Sequence, residues 1–298
     1  MSYFFSFLIG AAVGSFINVL VLRLAPEKAE AEGTSLSKAV SGRSFCDSCK
    51  KTLRWFELIP VFSFIWQKGR CLRCRKRISW QYPIVELLAG IVFVLIFWKL
   101  VQFPFLKITL GSFGFYAFVF LWWLIASVML AISVFDFKYY LIPDFLLYFL
   151  IGFGLILNIF YFFVKVSAFN TGPNFSGSLV YLLGSDTWFL RLGLGVVFAV
   201  VTIGLAYLMS FGKGMGFGDI ILAFGLALVF GWPDILALML FSFVIGTIAS
   251  LTLIYLKKRT MKDIVPFAPF LGLGFMTLFL FGDKIVQAYF NLFPTLFF

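Results

Sequence analysis

The sequence predicts an all-α integral membrane protein of about eight transmembrane helices, with a cytoplasmic zinc-binding loop between helices one and two. Three observations lead there. Apolar residues make up 62% of the 298 positions and charged residues only 12%, about half the charged share of an ordinary soluble domain. Most of the apolar residues fall in runs near the ~20 residues a helix needs to cross a bilayer. The basic residues are not spread evenly: thirteen of the 24 Lys and Arg lie between Arg23 and Arg77.

The apolar runs cover residues 3–22, 84–103, 113–134, 144–164, 188–209, 219–232, 235–256 and 266–290. The first lacks a basic leader and a small-residue cleavage site, so it reads as a retained span and not a signal peptide. The sixth is the shortest. Between the fourth and fifth, residues 165–187 carry Asn170, Gly172, Pro173, Asn174, Ser176 and Gly177, a turn-rich connection. If interval 24–83 is cytoplasmic, eight spans place 136–143, 210–218 and 257–265 on the same face. That face then holds 19 Lys and Arg. The other keeps five: Lys99, Lys107, Lys165, Arg191 and Lys284. This is the positive-inside bias of a multi-pass protein, and it argues against nucleic-acid binding as the meaning of a +11 net charge. The organisation expected is a first transmembrane helix at 1–23, a cytoplasmic four-cysteine loop at 24–83 and a seven-helix core at 84–298.

All four cysteines sit in the basic interval as Cys46-Asp-Ser-Cys49 and Cys71-Leu-Arg-Cys74, two C-x2-C pairs separated by 21 residues. Two such knuckles bring four thiolates around one tetrahedral ion, and closed sulfur sites suit structural Zn²⁺. Lys50, Lys51, Arg70, Arg73 and Arg75 favour the thiolate form. Disulfides are the competing reading, disfavoured in a reducing cytosol. A redox role would need a βαβ surround, which is missing here. Basic residues 68–77 suit anionic lipid head groups, an acidic peptide or plain solvent.

The chain contains no histidine, which narrows the acid–base chemistry open to it. Asp136 and Asp219 stand at the ends of apolar runs in helix-breaking contexts, Phe135-Asp136-Phe137-Lys138 leading to Pro143, and Gly216-Phe217-Gly218-Asp219. Both fall on the predicted cytoplasmic face. An ionisable group at the end of a span is a functional candidate by default. A pair of close carboxyls holds one proton between them, so one activates water while the other donates. Gly216 and Gly218 let the backbone bend and let a substrate strand lie close. Asp219 at the start of span six is also placed to cap it. Asp136 ends span three, where its charge opposes the helix dipole with no structural benefit visible in the sequence. Asp144, after Pro143, reads as the N-terminal cap of span four, and Asp234 as a cap in an external turn. Glu86 either favours the dipole of span two or faces the site. Gly10 and Gly14 form a small-xxx-small pair for close helix packing, and the 43 phenylalanines are lipid-facing and interhelical bulk.

Along nearly its full length the chain resembles the prepilin leader peptidases of type IV pili and type II secretion, bifunctional enzymes of the intramembrane aspartic protease class. The resemblance rests on Gly14-Ser15-Phe16-Ile17-Asn18-Val19 with Arg23-Leu24, on Gly42-Arg43-Ser44-Phe45-Cys46, Ile59-Pro60-Val61 and Gly69-Arg70-Cys71, and on Gln81-Tyr82-Pro83-Ile84-Val85-Glu86. It also rests on Asp136 through Ile142-Pro143-Asp144, and on Met215-Gly216-Phe217-Gly218-Asp219. The family commonly has Lys two residues after the second aspartate, where this chain has Ile221, and Arg before the Tyr-Pro, where it has Gln81. The resemblance implies catalytic Asp136 and Asp219, and prepilin or pseudopilin substrates cut after a leader glycine at the cytoplasmic face of the bacterial inner membrane. It also implies N-methylation of the new N-terminus from S-adenosylmethionine, with Gly69 and Arg70 associated with that second activity. A proton-coupled transporter using the same aspartates, and a zinc-braced scaffold without catalysis, are the alternatives.

Overall fold

A computed structural model describes residues 1–25, 42–46, 48–163, 188–210, 215–257, 263 and 265–292. The expected turn-rich loop 165–187, the Gly212-Lys213-Gly214 stretch and the bases Lys258, Arg259 and Lys262 lie outside the described residues. Among the described residues the regular structure is helical apart from two isolated β-bridges, Phe45 with Thr52 and Arg70 with Arg77. Its helices are α1 (Ser2–Arg23), α2 (Phe62–Trp66), α3 (Gln81–Val101), α4 (Pro104–Tyr139), α5 (Asp144–Phe163), α6 (Trp188–Met209), α7 (Phe217–Phe230), α8 (Asp234–Tyr255) and α9 (Ala268–Leu292). Apart from the five-residue α2, each matches one of the eight apolar runs. Five contain stretches long and apolar enough to cross a membrane: Ser2–Arg23, Gln81–Val101, Leu110–Tyr139, Phe189–Met209 and Asp234–Tyr255. Helix α7, with 14 residues, is about 21 Å long and falls short of a ~30 Å hydrocarbon core.

The chain forms two compact units, Met1–Lys99 and Leu100–Phe298. The sequence reading placed a boundary between 83 and 84. In the structure the first unit includes most of α3, because α3 packs on α1. Gly10 and Gly14 make that packing possible. A Cβ on Gly10 would stand 2.6 Å from the Ala89 carbonyl oxygen, and one on Gly14 2.7 Å from Glu86 Cα. The expected close-packing role is therefore realised, against α3. Neighbouring polar contacts set the register: Asn18 Nδ2 donates to the Tyr82 carbonyl at 3.1 Å, and Arg23 Nη2 donates to the carbonyls of Gly42 and Arg43 at 3.0 and 3.2 Å. Gly14→Leu should drive the two helices apart and cost about 1–3 kcal/mol, read as a lower unfolding midpoint in detergent; an unchanged midpoint would contradict the packing.

In the second unit α7 lies against α5 and α6, α4 against α5 and α9, and α8 against α9. Its core is aromatic. Trp122 on α4 meets Phe230, Phe275 and Phe279 at ring separations of 6.1, 6.2 and 4.6 Å. Phe135, one residue before Asp136, is fully buried. Gly111, with φ of +67°, breaks α4 near its start, and Leu110–Tyr139 is long and apolar enough to span. This helix continues past the expected end of span three, so Asp136 lies in its last turns and the helix breaks only at Tyr140, in the left-handed region with φ of 56°.

Asp234 differs from its expected role in an external turn. It is a buried first residue of α8, 3.9 Å from Arg191 Nη2 on α6, while Arg191 Nε donates to the Trp232 carbonyl at 3.0 Å. A partner 43 positions away is invisible to a local reading.

Candidate active site and metal centre

Asp136 and Asp219 arrive from separate helices at one end of the second unit. Asp136 is carried by the C-terminal end of α4, and Asp219 is the third residue of α7. Both are buried, and the charge of Asp136 acts on Asp219. The turn after α4 closes against the start of α7: a Cβ on Gly218 would lie 3.4 Å from that of Ile142. The turn that follows Asp136 thus packs in ordinary contact on the residue before Asp219.

Each carboxyl is held by a backbone donor. Gly216 N–H donates to Asp219 Oδ2 at 3.1 Å, and Asp219 N–H donates to the Gly216 carbonyl at 3.1 Å, a reciprocal closure of the first turn of α7. The capping and catalytic readings of Asp219 are therefore compatible in one side chain. For Asp136 the structure corrects an expectation. Its position opposes the dipole of its own helix, yet Ala268 N–H, at the first residue of α9, donates to Asp136 Oδ2 at 2.9 Å. The carboxyl thus satisfies an orphan donor at the positive end of another helix. This contact joins residues 132 apart in sequence, which is why Ala268 was missed. Asp144 stands as expected at the start of α5, in its first turn.

The cysteine module belongs to the first unit. Its two knuckles are built alike. Cys46 N–H donates to the Lys51 carbonyl at 2.9 Å and Lys50 N–H to the Cys46 carbonyl at 2.8 Å; Cys71 and Lys76, then Arg75 and Cys71, repeat the pattern at 2.9 and 3.0 Å. Lys50 and Arg75 occupy matching left-handed positions, φ of 54° and 59°. All four thiols are free, and their sulfurs lie within 4.8 Å of one another. Cys46 Sγ and Cys74 Sγ are 3.8 Å apart, equal to the about 3.8 Å edge of a tetrahedron with ~2.3 Å zinc–sulfur bonds. N–H groups of Cys74 and Arg73 hold the Cys71 thiol down to about 7 against desolvation. The Lys76 N–H pulls Cys74 the same way, but desolvation and the three neighbouring sulfurs outweigh it and push it up to about 11. Four sulfurs this close ionise together only around a cation. The donor set fits a closed, structural metal site.

Gly69 has φ of +66°, and its N–H and carbonyl are taken by Phe64 and Ile78 at 2.9 and 2.8 Å. Its role is to turn the chain into the second knuckle. The Arg70 side chain beside it is exposed. Glu86 accepts the Val61 N–H at 2.7 Å, so it fastens the loop to α3.

Fold and sites together define a multi-pass helical membrane protein with two buried aspartates and a four-thiol cluster that could hold a metal ion. The chain belongs to the type IV leader peptidase family: residues 8–100 match the bacterial peptidase A24 N-terminal domain and residues 123–251 the type IV leader peptidase family itself. Relatives named prepilin leader peptidase/N-methyltransferase include those of Aeromonas salmonicida, 28% identical over 95% of this chain and 92% of the relative, and of Pseudomonas aeruginosa, 29% identical over 95% and 91%. That of Bacillus subtilis is 29% identical over 84% and 86%. No solved structure matches the chain. The transporter alternative is not favoured.

Proposed function

We propose that this protein cleaves the leader peptides of prepilins or pseudopilins at the cytoplasmic face of the bacterial inner membrane, using Asp136 and Asp219. The observation that carries the reading is the convergence of these two buried carboxyls from helices α4 and α7 at one end of the second unit. One carboxylate takes a proton from water as it attacks the scissile carbonyl. The other, protonated, donates to the carbonyl oxygen or the leaving amine. Gly216 leaves room for an extended substrate strand beside Asp219, while Gly218 lets the turn after α4 approach. Incubating the purified protein with a prepilin-like peptide tests this, with the aspartate variants described below as controls.

The relatives' shared name supports a second step of N-methylation; we take S-adenosylmethionine as the donor and seat the step in the cysteine module. The zinc ion would be held by Cys46, Cys49, Cys71 and Cys74 and would brace the loop. Arg70, exposed and next to the second knuckle, suits the donor's carboxylate. Arg70→Gln is expected to lower methyl transfer from labelled S-adenosylmethionine by about tenfold, the size of one charge-assisted contact, with cleavage unchanged. Equal loss of both activities would remove Arg70 from this role.

A further inference from the structure

Helix α3 gauges how deep the loop reaches. Its 21 residues span about 31 Å, close to the ~30 Å hydrocarbon core, so Gln81 marks one edge and Glu86 lies about 7 Å along from it. Val61 N–H is bonded to Glu86 Oε2 at 2.7 Å. Helix α1 gives a second gauge. Gly14, packed on the backbone of Glu86, lies nine residues before Arg23, about 13 Å from that end. A glutamate side chain leans towards the N-terminus of its helix, so the chain around Val61 lies alongside the first turns of α3 rather than beyond its end.

At this depth α2 presents an apolar face that no described residue of the first unit covers. Phe62, Ile65 and Trp66 are 55%, 68% and 70% exposed, with the rings of Phe62 and Trp66 5.9 Å apart. Ile84, Leu87 and Leu88 of α3 are exposed at a matching level. Lys68 follows α2 and is exposed, and residues 58–85 contain no Asp or Glu, so nothing in this stretch repels an anionic head group. Aromatic side chains beside bases are the composition of a segment seated at a membrane interface.

We propose that residues 59–68 form an interfacial foot: Phe62, Ile65 and Trp66 enter the boundary between head groups and acyl chains, and Lys68 meets anionic head groups. The foot holds the cysteine module against the bilayer. Full-length protein labelled with 5-fluorotryptophan, in vesicles of phosphatidylethanolamine and phosphatidylglycerol, tests this by fluorine resonance. Trp66→Phe serves only to assign the signal, with zinc content as the check on its folding. A lipid carrying a nitroxide near the head of its acyl chain is expected to erase most of the Trp66 signal, while an aqueous gadolinium chelate leaves most of it. Broadening by the chelate and not by the lipid nitroxide would mean a solvated loop and overturn the proposal. It is equally overturned if the lipid probe has no effect and a prepilin-like peptide shifts the signal, since the surface would then belong to a peptide.

Discussion

Asp136→Asn and Asp219→Asn are each expected to lower cleavage of a prepilin-like peptide by about 10²–10⁴-fold, the contribution of a positioned acid or base. Asparagine keeps the shape of aspartate and an oxygen acceptor. The Ala268 and Gly216 donors therefore stay satisfied and the fold survives. Catalysis fails for another reason: an amide neither accepts a proton from water nor supplies one at neutral pH. Because the two groups act as a unit, the double variant should be little slower than either single one. Alanine separates the structural share. Asp136→Ala removes the partner of the α9 N-terminus as well as the proton carrier, costing about 1 kcal/mol of stability beyond the asparagine variant. Peptide cleavage, thermal unfolding in detergent and zinc content check these outcomes together. Persistent cleavage in both asparagine variants, with the fold intact, would end the two-aspartate reading.

The second large effect concerns the metal. Cys46→Ser or Cys71→Ser should reduce bound zinc from one ion to none per chain, since losing one of four sulfurs opens a closed site. Few side chains hold the module together otherwise: between the knuckles most polar contacts are short-range backbone bonds, and Trp55, Arg70, Arg73 and Arg75 are exposed. Zinc supplies about 10–16 kcal/mol in small cysteine and histidine modules, more than such a loop obtains by packing. Metal loss is expected to disorder residues 42–80 and abolish methyl transfer. Acid has the same direction of effect. Ligation needs thiolates, and Cys71, held down to about 7, supplies the first; zinc uptake by stripped protein should weaken as pH falls through about 7. Atomic absorption on protein reloaded across this range measures it. Full zinc occupancy in the serine variants would mean that the four sulfurs are not the site.

Much of this molecule follows from local chemistry that a sequence displays. The apolar runs specify helices because a backbone in lipid satisfies its own hydrogen bonds, and all eight appear in place. The cysteine knuckles are equally local: each is a short turn whose geometry repeats, so C-x2-C spacing sufficed to find the cluster. Gly10 and Gly14 announced a close approach but not its target, the Val85–Gly90 stretch of α3. Other features stayed hidden because their partners are remote in sequence. Asp136 looked electrostatically misplaced until Ala268 was seen to donate to it. Asp234 looked like a turn cap until Arg191 came into reach. Glu86 was ambiguous until Val61 turned to it. The amino-acid sequence alone determined the apolar helices, the thiol cluster and which two carboxyls to suspect, because period, spacing and charge are properties of neighbouring residues. Only the tertiary structure decided what each buried polar group faces, because in an apolar medium that partner is set by how distant helices pack.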